Sequence, residues 1–142
     1  MNTPKSLWAL LAVALLVRLI SAACEPLFVD EAFSYFVSQG SLAQITSNAA
    51  FDNHPPTYYI LCHWLTRGIT SPLLLRLPSI LLCLASIALA HRIVSSVSKT
   101  PAVALWTCAL LALNHFSWHN GNQLRSNALF ELTSLIVVWD VL

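Results

Sequence analysis

Charge is what this chain has least of. Charged residues make up 9% of the 142, hydrophobic residues 57%, and the mean hydropathy is +0.70, which a water-soluble globule does not sustain. The chain is therefore read as a membrane protein. Its seven Lys and Arg against six Asp and Glu leave a net charge of +1, with no cluster of basic residues on any segment. That excludes a nucleic-acid footprint, which needs Lys and Arg gathered on one face. The four cysteines (Cys24, Cys62, Cys83, Cys108) include no CxxC pair and no metal-ligand spacing, so they read as small apolar fillers. No apolar run carries the mid-membrane Gly or Pro break expected of a transporter site, so a transporter fragment ranks last among the functions weighed.

Apolar runs are present in quantity. Four are close to the roughly 17 to 25 residues that a helical crossing needs: 7–23, 73–94, 102–118 and 124–141. A fifth, Tyr58 to Leu65, is too short to cross. With Pro55-Pro56 at its entry and His63, Trp64 and Arg67 aboard, it reads as an interfacial helix. The fold expected is an all-α membrane protein of about four transmembrane helices, with interfacial helices in a large first outer loop, 24–72. The first run also resembles a signal peptide, with Lys5, an apolar core and Ser21-Ala22-Ala23 before Cys24. Arg18 inside that core, and three further runs behind it, favour a retained helix.

Lys5 at the start, and His91, Arg92 and Lys99 at the joint of the second and third runs, put those ends on the cytoplasmic side of a multi-pass plasma (inner) membrane protein. The loop 24–72 and the short stretch 119–123 then lie outside. Arg67 and Arg76 near the outer face are the contrary evidence. Arg18 lies about a turn and a half from the outer end of its run, near enough for its side chain to snorkel to the interface.

The scarce acids are not scattered. Four of the six, Glu25, Asp30, Glu31 and Asp52, fall in the one polar stretch that follows the first run. Asp30 is placed to cap a helix running to about Gln39, with Val29, Phe33, Phe36 and Val37 on one membrane-facing side. Gly40 would end it, and Ser41 with Gln44 forms a capping box for a second short helix toward Asn48. Two adjacent carboxylates exceed what capping needs. Tyr58, Tyr59, Trp64 and Trp118 read first as interfacial aromatics. Glu131, seven residues into the fourth run, is expected to face the bundle interior or a water-filled cleft, and Asp140 to be solvated.

Three motifs stand in order along the chain: Asp30-Glu31-Ala32, His54-Pro55-Pro56-Thr57-Tyr58-Tyr59, and Arg76-Leu77-Pro78-Ser79. With their spacing they resemble the GT-C class of integral membrane glycosyltransferases, which use lipid-linked sugars and include the protein O-mannosyltransferases and the aminoarabinose transferase for lipid A. In that class a second outer loop ends in an acid, a small residue and Arg. Here Asn122-Gln123-Leu124-Arg125 keeps the Arg and has Gln123 in place of the acid, which leaves any second acid or metal role of this loop without its residue.

The resemblance implies transfer of a sugar from a polyprenyl-phosphate donor to an acceptor hydroxyl, with inversion at the anomeric carbon. Asp30 is the expected general base and Glu31 its catalytic partner. Arg18, Arg76, Arg125, His54 and Tyr58 are the expected substrate-binding residues, the cations facing the departing phosphate. No cofactor is required by this reading. A divalent cation beside His54 and the carboxylates is left open. The partners implied are the lipid-linked donor and membrane lipid; sugar and acceptor are unspecified.

Members of that class are several times longer, so the 142 residues correspond to a single N-terminal transmembrane module. Val138-Trp139-Asp140-Val141-Leu142 stops at the edge of a run, as a truncated frame would. The alternative weighed is a small non-catalytic membrane protein or assembly subunit derived from the same module.

Overall fold

Every apolar run of the sequence is helical in the computed structural model, which describes residues 4–52 and 54–142 and contains no strand among them. The helices are α1 (Lys5–Cys24), α2 (Val29–Ser38), α3 (Leu42–Ala49), α4 (Pro56–Thr66), α5 (Pro72–Val97), α6 (Pro101–Leu113), α7 (His115–Asn122) and α8 (Asn127–Val141), with a 3-10 turn at Ala50–Asp52. Proline opens α4, α5 and α6 at their first turn, where a missing N–H is no loss and the fixed φ suits a helix. Gly68, at φ 76°, turns the chain after α4 in a backbone conformation that a side chain would strain.

Two helices, α1 with 20 residues and α5 with 26, are long and apolar enough to cross a bilayer. The expected third and fourth crossings are shorter than the apolar runs suggest. The run 102–118 is broken at Asn114, whose backbone is extended and whose Oδ1 accepts from Phe116 N at 2.9 Å and Ser117 N at 3.2 Å. Asn here starts a new helix instead of continuing the old one. The run 124–141 becomes helical only at Asn127, because residues 123–126 are drawn into the polar end of the bundle.

α5 is the central element, packed on α1, α4, α6, α7 and α8. α1 buries Leu7, Ala14, Arg18 and Ala22, one face at helical spacing, and leaves Trp8, Val13, Leu16 and Ile20 exposed. The first of two cores joins Leu7, Ala14, Cys83, Ile87, Cys108 and Ala112 along the bundle. The second lies under α2 to α4 and joins Val37, Ile45, Tyr58, Tyr59, Cys62, Leu75 and Leu124. Cys62, Cys83 and Cys108 are buried fillers, while Cys24 is exposed.

The loop 24–72 is structured largely as its sequence suggests, with one exchange of roles. Ser41 caps α3, its N–H donating to Gln44 Oε1 at 2.9 Å and its Oγ accepting from Gln44 N at 3.4 Å. α2 starts two residues earlier than expected, so Asp30 is not its N-cap. Phe28 takes that position, and its N–H donates to the carboxylate of Glu31 at 3.0 Å, a carboxylate reaching back over the first turn. Val29, Phe33 and Phe36 are exposed together, but Val37 turns into the core. Tyr58 and Tyr59 are buried and are not belt aromatics.

Candidate functional site

The two carboxylates at the start of α2 have opposite fates. Glu31 is fully buried and receives Arg76 side-on, Nε to Oε1 at 2.8 Å and Nη2 to Oε2 at 2.7 Å. Arg76 spends its remaining donors on the backbone: Nη1 donates to Ala22 O at 2.9 Å and Glu25 O at 2.8 Å, Nη2 to Pro26 O at 2.8 Å. All five guanidinium N–H groups are thereby used. Glu31 also accepts from Leu124 N at 3.0 Å. Burial pushes the Glu31 carboxyl up, but the hydrogen bonds from Arg76, Phe28 N and Leu124 N outweigh it and hold the carboxyl below its ordinary range. This pair ties α1's end, α2, α5 and the stretch before α8 into one knot.

Two expectations are corrected by that knot. Arg76 does not face a departing phosphate, since it has no free donor, and Glu31 has no exposed oxygen with which to touch a substrate. Tyr58 is likewise out of reach, its hydroxyl 2.7 Å from Ser79 Oγ inside the core. Arg18 does not snorkel: it is buried against α7, with Nη1 donating to Trp118 O at 3.2 Å, Asn122 Oδ1 at 3.2 Å and Ser117 O at 3.4 Å. Gly121 makes room for it. A methyl there would stand 2.8 Å from Cys83 Sγ and 2.9 Å from Arg18 Nη1, so Gly121→Ala is expected to destabilise the fold by roughly 1–3 kcal/mol, read by thermal unfolding in detergent.

Asp30, by contrast, points outward. Its side chain is 68% exposed, and Arg125 Nη2 approaches its Oδ2 at 3.8 Å. The same Arg125 donates through Nη1 to Asp52 Oδ2 at 3.2 Å. Asp52 is 19% exposed and is the hub of the cluster: Tyr59 donates its hydroxyl to Oδ2, and His54 Nδ1 lies 3.2 Å from that oxygen and 2.6 Å from the Asp52 carbonyl. Burial first, then the hydrogen bond to the Asp52 carboxylate, push the Tyr59 phenol well up, so it stays a donor. Of the residues expected from sequence, the structure brings together Asp30, His54 and Arg125 and leaves Glu31, Arg76, Arg18 and Tyr58 aside.

Asp52 and Tyr59 are the residues missed. Asp52 stood among the four clustered acids and two positions before His54, and that was the available signal. Tyr59 sat inside the second motif, where its neighbour Tyr58 was chosen. Among the described residues no group of three or more His, Cys, Asp or Glu is arranged to hold a metal ion, so the open question of a divalent cation gains no ligand set here. Glu131 is partly buried on the wall of a cleft of about 490 Å³ shared with Asn114, Ser117, Asn120 and Asn127, a setting of the kind expected for it.

The cluster can do two things chemically. An exposed carboxylate with free lone pairs can accept a proton, and a guanidinium fixed by a second carboxylate can meet an anion without swinging away. Comparison with protein-family models, with curated proteins and with solved structures finds no match for this chain.

Proposed function

We propose that the chain is the base-bearing N-terminal module of a membrane glycosyltransferase that moves a sugar from a polyprenyl-phosphate donor to an acceptor hydroxyl on the outer face of the inner membrane. The observation that carries this reading is the division of labour around Arg125: Asp52 holds it, and Asp30 stands exposed 3.8 Å from it. In the reaction the acceptor oxygen bonds to the anomeric carbon and its proton passes to Asp30. The bond from that carbon to the phosphate oxygen breaks with its electron pair on the phosphate, where Arg125, with His54 beside it, meets the charge. Glu31 and Arg76 position the loop and do not touch substrate. The resemblance of the three motifs to the GT-C class supplies the donor and the inverting outcome.

The four-crossing topology belongs to the same proposal. α6 and α8 span about 20 and 22 Å as helices, short of the roughly 30 Å hydrocarbon layer, and in this proposal they cross with the help of the residues that flank them. Ser47 on α3 and Ser96 near the far end of α5 are both exposed. With Cys24→Ser as background, Ser47→Cys is expected to react with an impermeant maleimide from the outside and Ser96→Cys only after permeabilisation. Equal sidedness overturns the topology.

Donor binding is tested with a photoactivatable polyprenyl-phosphate sugar in membranes carrying the chain. Labelling of the 24–72 loop is expected, and Arg125→Gln lowers it about tenfold or more, the loss of one charge-assisted phosphate contact. No labelling above that of membranes without the chain rejects the donor class. The openness of Asp30 favours one second reading, a binding or assembly module that carries the site without turning it over.

A further inference from the structure

Arg18 is 1% exposed, and its contacts are lopsided. All three of its acceptors sit on Nη1, while Nε and Nη2 are buried with no acceptor among the described residues. Three of its five N–H groups are thus buried without an acceptor, one of the less favourable arrangements a fold can hold, with the Glu131 carboxylate near enough to offset part of the charge through space. Arg18 lines one end of a groove between α1 and α6, of about 340 Å³, walled by Ala9, Val13, Ala109 and Leu113, with Trp118 beside it.

Ala9 to Val17 of α1 lie along the groove, about 12 Å at the helical rise, and its walls are almost wholly apolar, which suits a hydrocarbon chain laid along it. A second cavity of about 350 Å³ shares Trp118 with the groove and is walled by Glu25, Arg76, His115, His119, Asn122 and Gln123, polar and charged groups suited to hydroxyls. Through Trp118 the molecule therefore joins an apolar slot, a cation with unused donors, an aromatic of the type that sits at headgroup level, and a polar bowl.

We propose that this site binds an anionic phospholipid with a polyol headgroup. One acyl chain lies in the α1–α6 groove, a phosphate oxygen accepts from Arg18 Nε and Nη2, and the head hydroxyls enter the bowl. The lipid supplies acceptors for the Arg18 donors that have none among the described residues. This site involves neither Asp30 nor Arg125, and its binding test contains no sugar and no transfer. It therefore stands or fails apart from the reaction proposed above.

The test is native mass spectrometry of the full chain in detergent, titrated with phosphatidylglycerol, with phosphatidylcholine and with inorganic phosphate. Phosphatidylglycerol is expected to bind at a concentration at least tenfold lower than phosphatidylcholine, and Arg18→Gln to erase that difference. Inorganic phosphate at millimolar concentration is expected not to displace it. Ala9→Phe with Ala109→Phe fills the groove from partly or fully exposed positions, leaves the Arg18 contacts in place, and is expected to abolish retention of both lipids. This pair decides the question should Arg18→Gln fail to fold.

Equal binding of the two phospholipids overturns the proposal, as does unchanged retention in the groove-filled chain. Displacement by phosphate overturns the role of the acyl chain. A lipid-free dimer that dissociates on Arg18→Gln gives the groove to a second copy instead.

Discussion

Arg76→Gln is expected to lower the stability of the protein in detergent by roughly 3–5 kcal/mol, the scale for removing one partner of a buried ion pair, and in a small bundle that is enough to prevent folding. The reason is the company Arg76 keeps. Its removal strips Glu31, fully buried, of both side-chain donors, and leaves the carbonyls of Ala22, Glu25 and Pro26 without theirs. Glu31→Gln preserves shape and removes the charge. It is expected to destabilise less than Arg76→Gln, because the guanidinium keeps its three carbonyls. In the double variant the two losses are not additive, and the cycle measures their coupling.

Acid sensitivity follows from the same pair. The Glu31 carboxyl is held below its ordinary range in the folded chain, so the stability it contributes is fully present above the ordinary carboxylate pKa. That stability is lost as pH falls through the depressed folded value. Thermal unfolding followed by circular dichroism from pH 7 downward should show the loss in the wild type. Any chain that still folds with Glu31→Gln should not show that component.

What was legible in the sequence tracks how local its cause is. The Ser41 and Gln44 capping box, the Pro55-Pro56 entry to α4 and the long first and second apolar runs depend on neighbours within a turn or two, and the structure keeps them. The cap falls at Phe28, two residues before Asp30, because Asp30 and Glu31 both satisfy the rule for acids in a first helical turn and the tertiary pull of Arg76 selects Glu31 to reach back to the Phe28 N–H. The third run looked continuous because hydropathy averages over Asn114, whose side chain ends one helix and begins another.

The site divides in the same way. Clustering of the acids singled out the loop in which Asp30 and Asp52 meet Arg125, and the motifs named Asp30 and Arg125. Which of the four candidate cations, Arg18, Arg76, Arg125 and His54, would stand beside the exposed carboxylate could not be read locally. Arg76 and Arg18 are buried on partners 45 to 104 positions away in the chain, and a burial of that kind has no signature in spacing.

Asp30→Asn is expected to lower sugar transfer about 100-fold or more in any preparation in which the chain takes part in transfer, with protein level and helix content unchanged, since the residue is exposed and makes one weak ion pair. The amide keeps size and hydrogen-bonding shape but cannot take the acceptor's proton, and Asp30→Glu should retain part of the rate. Asp52→Asn separates base from scaffold. Its carboxylate accepts from Tyr59 and Arg125 and lies 3.2 Å from His54 Nδ1, so its loss should loosen Arg125 and raise the donor KM while leaving more of kcat than Asp30→Asn does. For the 142-residue chain alone the expected result is no turnover: it offers a base and an anchored cation, but holding a long lipid donor and an acceptor together supplies much of such a rate. A purified chain that transfers sugar, and loses that activity with Asp30→Asn, would refute the expected inactivity and establish the base. A chain that labels with the donor analogue but gives no transfer, in the wild type and in both Asp30 variants alike, is the outcome expected of a module that binds without completing the reaction.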